Sequence, residues 1–374
     1  MKFICTKENL SYSLDLVSGV AGRHASLPIL MNILIQAEAA GVRLVATNLE
    51  MAIKTSLRAK VDEAGSFTVP AKTLTDFVHL LPDEQVEVSL QENEVFIKCG
   101  NSSTKIKGTP ADEYPVVPEI EEKHAYTVNA EMFKDSLSRV VLACAKNEIR
   151  PELSGVYFGL FTERYPGLLV AATDSYRLAE KKLEVEQGTE EARAIVPSRT
   201  VYELARLVSL AKNKQGETKI RLWLSEGQIA ARYDDFEVSS RLVEGKYPDY
   251  AQIIPTKTKT TASFPVGLMV NKIKTASLFT ASGVNAVSFD LNASQGTIGL
   301  SSTSTQTGEH SSEIESEVLG EENSILLNHR YVLDGLQNLN SEDGEFGVNS
   351  SDTPCVFRAK NKDDYVYVVM PIRQ

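Results

Sequence analysis

Residues 125–145 read AYTVNAEMFKDSLSRVVLACA. Apolar residues alternate over the first few positions and then recur at helical spacing. A short strand therefore runs straight into an amphipathic helix. The same change of period occurs twice more, in KFICTKENLSYSLDLVSGVA (2–21) and TASFPVGLMVNKIKTASLFTAS (261–282). Three such openings, spaced by roughly a third of the chain, predict an internal repeat at domain scale.

The segments after these openings also recur. Hairpin-like stretches cover 27–53, 152–179 and 285–305, and the first two share an Ala-Thr pair, Ala46-Thr47 and Ala172-Thr173. A strand then introduces a second helix, in FTVPAKTLTDFVHLL (67–81), AIVPSRTVYELARLV (194–208) and ILLNHRYVLDGLQNL (325–339). Leu204, Leu207, Val208 and Ala211 make one apolar stripe, and Leu333, Leu336 and Leu339 another. Strands close each unit, and EYP and KYPDY end the first two. Chance among common α+β patterns is the plain alternative, but the order of elements recurs three times. Each unit is expected to be an antiparallel sheet carrying two helices on one face. Polar linkers near 120–124 and 255–261 put the domains at 1–121, 124–254 and 257–374.

Composition bounds the function. A chain of 374 residues, 42% hydrophobic and 24% charged, suits two or three globular domains. No apolar run approaches the roughly 20 residues that span a bilayer. The start, MKFICTKENL, lacks the apolar core of a secretion signal, so a cytoplasmic protein without membrane contact is expected. Cys5, Cys99, Cys144 and Cys355 are scattered and read as buried thiols. The net charge of −11 argues against a nucleic-acid binder unless its cations are gathered on one face.

Motifs for chemistry are missing. EGKY at 244–247 lacks the earlier glycine of a phosphate-binding loop, and SSTK at 102–105 lacks the partners of a serine acylase. The five histidines are far apart, which suggests neither a zinc site nor a nucleophile site. No catalytic residue, cofactor or metal is expected. The cations are more informative. Lys134, Arg139, Arg199, Arg206, Lys212, Lys214, Lys272 and Lys274 lie in helix-rich segments, while acidic residues crowd strand and loop segments such as GEHSSEIESEVLGEEN (308–323). Singly these are ordinary solvated helix faces. Together they suggest a basic helical face and an acidic shell.

At this point the residues carry a resemblance. MKF at the start, LPIL (27–30), TNLEMAI (47–53), VPAK (69–72), ATDSYRLA (172–179), IVPSR (195–199), KYPDY (246–250), YVLDGL (331–336) and YVVMPIR (367–373) occur in the order found in the bacterial DNA polymerase III beta subunits, the sliding clamps. The chain resembles that family over its full length. The resemblance implies an α+β fold of three repeated clamp domains, closed head to tail as a homodimeric ring. Helices line a central hole and antiparallel sheets lie outside. It implies a non-catalytic processivity factor that encircles double-stranded DNA without reading sequence. The implied partners are the polymerase III alpha subunit, the clamp loader delta subunit, and other polymerases and repair proteins carrying clamp-binding peptides.

Residue by residue, the family pattern implies that Arg23, His24, Lys72, Arg150 and Arg199 face DNA. It implies a peptide cleft of Leu153, Thr173, Tyr176, Arg177, Leu178, Pro248, Ile253, Asn328, Tyr331, Pro354, Val368, Met370, Pro371 and Arg373. It implies a subunit seam in which Lys105, Ile106 and Lys107 meet Leu278, Phe279, Glu309 and Glu313. The apolar end of the chain then makes sense: Met370 adapts to varied peptides, and Pro371 keeps the last residues out of the strand ladder and free to shape the cleft. The chain departs from several relatives at SYRL (175–178), Gln252 and Gln374. A three-module scaffold that binds no DNA, and an uncharacterised hydrolase, remain the alternatives at this level.

Overall fold

Strand turns to helix at a capping side chain or at a proline. The computed structural model describes residues 1–22, 27–147, 149–212, 216, 218–281 and 283–373. Arg23, His24, Lys214 and Gln374 lie outside the described residues. The helices of the three openings are α1 (Lys7–Ser18), α3 (Ala130–Val141) and α5 (Val266–Ser277). The second helices are α2 (Ala71–His79), α4 (Ser198–Leu210) and α6 (His329–Gln337). The Thr6 side chain accepts the Asn9 N–H at 3.2 Å to start α1, and Asn328 accepts the Arg330 N–H at 3.0 Å to start α6. Pro70, Pro197 and Pro265 stand directly before α2, α4 and α5. A proline has no N–H to extend a ladder, and its fixed φ suits a helix entry.

The described chain divides into two compact units. The first is Met1–Lys134, Val185–Glu190 and Arg199–Leu242. It holds a five-stranded antiparallel sheet, in order Lys60–Glu63, Lys2–Thr6, Gln85–Gln91, Glu94–Cys99 and Ser102–Lys107. It also holds a nine-stranded one: Thr109–Pro110, Gly65–Pro70, Asn32–Glu38, Gly41–Thr47, Met51–Leu57, Phe236–Arg241, Gln228–Tyr233, Lys219–Ser225 and Ala125–Asn129. Leu14, Leu16, Leu44 and Ile53 are fully buried in its core. Arg206 of α4 donates to the carbonyls of Asp15 at 2.9 Å and Leu16 at 3.0 Å. These belong to the last turn of α1, whose carbonyls have no partner within the helix.

The second unit is Asp135–Glu184, Glu191–Ser198 and Val243–Gln374. Its nine-stranded antiparallel sheet runs Ala192–Pro197, Gly155–Thr162, Tyr165–Thr173, Arg177–Leu183, Tyr365–Val369, Cys355–Ala359, Asp343–Val348, Thr260–Pro265 and Glu317–Gly320. A four-stranded sheet runs Gly308–Glu315, Thr297–Ser304, Ala286–Asn292 and Asn323–Asn328. Gly335 lets α6 approach this unit's large sheet, because a Cβ there would lie 2.2 Å from the Tyr367 ring.

Two expectations change. A third does not carry one sheet, because its opening strand and its first hairpin go to different sheets. In the first third Lys2–Thr6 joins the five-stranded sheet and Asn32–Glu38 the nine-stranded one. The strands of the middle third are shared between the two large sheets. Strand Met51–Leu57 gains Phe236–Arg241 as its neighbour, and Arg177–Leu183 gains Tyr365–Val369. An unpaired strand edge takes whatever backbone can satisfy it, and alternation along a strand does not say which neighbour that is. The α6 stripe is also turned by one residue: Val332, Leu336 and Leu339 are buried while Leu333 is half-buried. The four cysteines are free and buried, as expected. No described helix is long and apolar enough to cross a membrane.

Candidate functional site

The last strand of the second unit, Tyr365–Val369, works on both faces. Tyr365 and Tyr367 turn toward the helices, donating to the carbonyls of Arg139 at 3.3 Å and Tyr331 at 2.9 Å. Val366 and Val368 turn the other way, into a cluster with Leu153, Leu169, Ala171, Leu178, Ile195, Tyr247, Tyr250 and Val356. Ile253 and Ile254, both half-buried, pack against this cluster. Leu178 and Val368 are direct cross-strand partners. The apolar floor expected from Leu153, Leu178, Ile253 and Val368 is thus one contiguous body.

A tight turn builds the rim above it. The Thr173 hydroxyl donates to the Arg177 carbonyl at 2.7 Å and accepts the Ser175 N–H at 3.1 Å. Asp174 Oδ1 accepts the N–H groups of Tyr176 and Arg177, both at 3.0 Å. The Tyr247 hydroxyl accepts the Thr173 N–H at 3.1 Å. Asp and Thr side chains close turns in this way by standing in for backbone partners. Ser175 sits at φ 77°, in the left-handed region. The turn leaves the Tyr176 ring 63% exposed, stacked on Tyr331 with centroids 6.5 Å apart. Arg177 is buried and directed to the helix side, away from Leu178. Burial pushes the Tyr247 and Tyr250 phenols far above their usual range, and the Cys144 thiol up to about 12. All three stay neutral near pH 7.

The chain end passes this rim. The strand stops at Val369, as a following Pro371 leads one to expect. The tail is nevertheless tied: Met370 N–H donates to the Tyr176 carbonyl at 2.9 Å, and Ile372 N–H to the Leu326 carbonyl at 2.8 Å. The last residues thus lie outside the strand ladder, as expected, and are held by these two single hydrogen bonds. Met370, Pro371, Pro248, Asn328 and Pro354 are half-buried and Arg373 is exposed. Tyr247, Tyr250, Val356 and Val366 were not singled out as site residues from sequence. The KYPDY motif contains both tyrosines, but the partner of a hydroxyl lies far away in the chain.

The remaining expected sites are more dispersed. Lys72 on α2 is exposed and ion-paired with Asp76, and Arg199 on α4 is exposed too. In the second unit Arg150 pairs with Glu152 at 3.0 Å. Two edge strands are open on one side. Ser102–Lys107 exposes Lys105 and Lys107, but Ile106 is only 6% exposed. Gly308–Glu315 exposes Glu309 and Glu313. Leu278 is 68% exposed, and Phe279 stacks on His310 with centroids 5.6 Å apart. Leu278 and Phe279 therefore offer more free apolar area than Ile106. Among the described residues no group of His, Cys, Asp and Glu is gathered to hold a metal ion.

The first unit holds a second copy of the rim turn. The Thr47 hydroxyl donates to the Met51 carbonyl at 3.0 Å and accepts the Leu49 N–H at 3.1 Å. Asn48 Oδ1 accepts the N–H groups of Glu50 and Met51 at 3.0 and 2.8 Å. The Tyr114 hydroxyl accepts the Thr47 N–H at 3.1 Å, and Leu49 sits at φ 73°. A pocket beside it is lined by residues including Ala52, Pro115, Val117, Gln228, Ser239 and Ser240.

Known proteins match this chain over its whole length. The family described as DNA polymerase III beta subunit matches in three consecutive stretches: the N-terminal domain over residues 1–118, the central domain over 127–249 and the C-terminal domain over 251–373. The beta sliding clamp of Synechococcus elongatus is 29% identical over 379 residues, covering 100% of this chain and 99% of its own. That of Halalkalibacterium halodurans is 27% identical, covering 100% of both. The DNA polymerase sliding clamp of Bacillus subtilis superposes with a TM-score of 0.93 at 27% identity, over 100% of this chain and 99% of its own. A Pseudomonas aeruginosa sliding clamp solved with griselimycin bound gives 0.92 at 26%, over 100% of both chains.

Proposed function

We propose, starting from the fact that the chain belongs to the DNA polymerase III beta subunit family, how its surfaces divide the work of a DNA polymerase processivity factor. The observation that carries the processivity function is the unbroken run of three clamp-domain matches along one chain. We read the domains as 1–121, 124–254 and 257–374. Two copies associate head to tail, the open edge Ser102–Lys107 of one pairing with Gly308–Glu315 of the other. Strand addition supplies backbone hydrogen bonds. Lys105 and Lys107 against Glu309 and Glu313 set the orientation, and Leu278 with Phe279 forms the apolar contact. The ring surrounds duplex DNA, with Arg23, His24, Lys72, Arg150 and Arg199 facing the phosphates. Distant cations attract a duplex without reading its bases, as sliding requires. The chain catalyses nothing itself and works in the cytoplasm.

The apolar floor of Leu153, Leu178, Ile253 and Val368, with its Tyr176, Tyr331 and Met370 rim, accepts short peptides from the polymerase alpha subunit, the loader delta subunit and repair proteins. This reading is supported by a preformed apolar cluster with half-buried hydrophobics packed on it and an adaptable methionine tied to the Tyr176 carbonyl at the rim. The test of the ring is retention on closed circular DNA. The wild type, once loaded, stays on circles and is lost when they are linearised. Leu278→Ala with Phe279→Ala gives folded monomers by sedimentation that are not retained. A double variant that remains dimeric at low micromolar concentration refutes this seam.

A further inference from the structure

We propose that Arg177 is the positioning residue of the docking cleft: it holds the Tyr176–Tyr331 rim in place and makes no contact with the docked peptide. This rests on the reading of the cleft as a peptide site and assigns the role of a residue that the family resemblance would count among its lining. Arg177 is 6% exposed, and its guanidinium is engaged within the protein. Nε donates to Asp174 Oδ2 at 3.1 Å, Nη1 to the Asp334 carboxylate, and Nη2 to the Leu142 carbonyl at 2.6 Å. The guanidinium carbon lies 4.7 Å from the centre of the Tyr331 ring.

These partners come from three places. Asp174 belongs to the rim turn. Leu142 comes directly after the last residue of α3, where helix carbonyls lack partners in the helix. Asp334 and Tyr331 are on α6, one turn apart. A single planar fork thus fixes the rim turn, the end of α3 and α6 together. A lysine cannot do this, because its ammonium is a point charge without the fork. The Tyr176 ring leans on Tyr331, and the Tyr176 carbonyl holds Met370 N–H. The position of α6 against the turn therefore sets both aromatic walls and the methionine.

The duplicated turn of the first unit supplies the control. Met51 stands where Arg177 stands, and the turn closes with the same set of hydrogen bonds. The arginine is not needed to make the turn. Its contribution is the link to Tyr331, Asp334 and Leu142.

The experiment uses the full chain, a fluorescein-labelled Gln-Leu-Ser-Leu-Phe peptide, and 19F spectra of 3-fluorotyrosine-labelled protein. The Tyr176 and Tyr331 signals are assigned by single Phe substitutions. Arg177→Met is expected to weaken the peptide about tenfold or more and to shift both tyrosine signals in the absence of peptide. Arg177→Lys recovers little of the affinity. In a Tyr176→Ala background, Arg177→Met costs less than about twofold further, because the group it positions is gone. Full additivity of the two changes overturns the proposal, since Arg177 would then act on the peptide directly. So do unshifted tyrosine signals. If Arg177→Met does not fold, Asp334→Asn carries the same tests, since that carboxylate is half-exposed and only one of the ties is weakened. A wild type that ignores the peptide while its tyrosine signals still respond to Arg177→Met refutes the docking reading instead.

Discussion

The two rim turns, Thr47–Met51 and Thr173–Arg177, have the same hydrogen bonds, the same tyrosine hydroxyl on the first threonine and the same left-handed third residue. They differ in what lies beneath. Under the second turn, Leu178 faces Val368 across the ladder, and both belong to the apolar cluster. At the corresponding place in the first, Ala52 faces Ser239, beside Ser240 and Gln228. The turn is a scaffold that recurs in both units. The apolar floor comes from the strand that adds at its edge: Tyr365–Val369 brings Val366 and Val368 to that face, where Phe236–Arg241 brings Ser239. Electrostatics separates the copies too, since the second carries Arg177 where the first has Met51.

Substitutions that make one copy resemble the other test this directly. Leu178→Ala gives the second site the alanine of the first. It should lower the free energy of unfolding by about 2–5 kcal/mol, as for other buried leucines, and weaken the labelled peptide. The converse change, Ala52→Leu, should cost about 1–3 kcal/mol by overpacking and create no peptide site. Urea melts and peptide titrations of the two variants are the measurement. Peptide binding at the Ala52→Leu site would mean that the floor residue alone decides, and the comparison would lose its force.

Removing residues 370–374 sharpens the comparison at the rim. The deletion takes away Met370 and two backbone hydrogen bonds, each with a net value of about 0.5–1.5 kcal/mol. The truncated protein should melt somewhat earlier, remain dimeric, and lose peptide affinity about tenfold or more. Unchanged affinity in a folded truncation would remove the tail from the site.

If the turns are the same scaffold, their threonines should be equivalent. Thr47→Val and Thr173→Val should each cost about 1 kcal/mol, within error of each other, in denaturant unfolding. A clear inequality would show that the second turn is reinforced by Arg177.

The smallest effect concerns the start of α6. His329 is buried with Nδ1 unpartnered, and burial, with Arg330 adding, holds its imidazole below the usual range. The unfolded chain therefore takes up a proton that the folded chain resists. This stability is complete above about pH 6.5, the unfolded value, and is lost as pH falls below it toward the folded value. The corresponding helix of the first third begins with Ala71, and its one histidine, His79 in the last turn, is exposed. Melting temperature should fall between about pH 7.5 and 5.5 by an amount that His329→Gln reduces. An identical fall in the variant would assign the effect to other groups.

Much of this molecule is written locally in the chain. The strand-to-helix openings arise from nearest-neighbour chemistry and were legible, and the free, buried state of the cysteines was expected from their scatter. So was the family, because its short motifs keep their order over the whole length. Leu153, Leu178, Ile253 and Val368 came from that pattern and do share one cluster. The sequence could not say which edge each strand would join, since alternation fixes the faces of a strand but not its neighbour. Nor could it say that Ile106 would be buried, that Ile372 would be tied to Leu326, or that the tyrosines of KYPDY would join the apolar cluster, one of them capping the rim turn. It could not tell that the Arg177 guanidinium would turn inward to α6. Each of these depends on atoms brought together from distant parts of the chain. Their hydrogen bonds and desolvation exist only after packing, so the tertiary structure alone decided them.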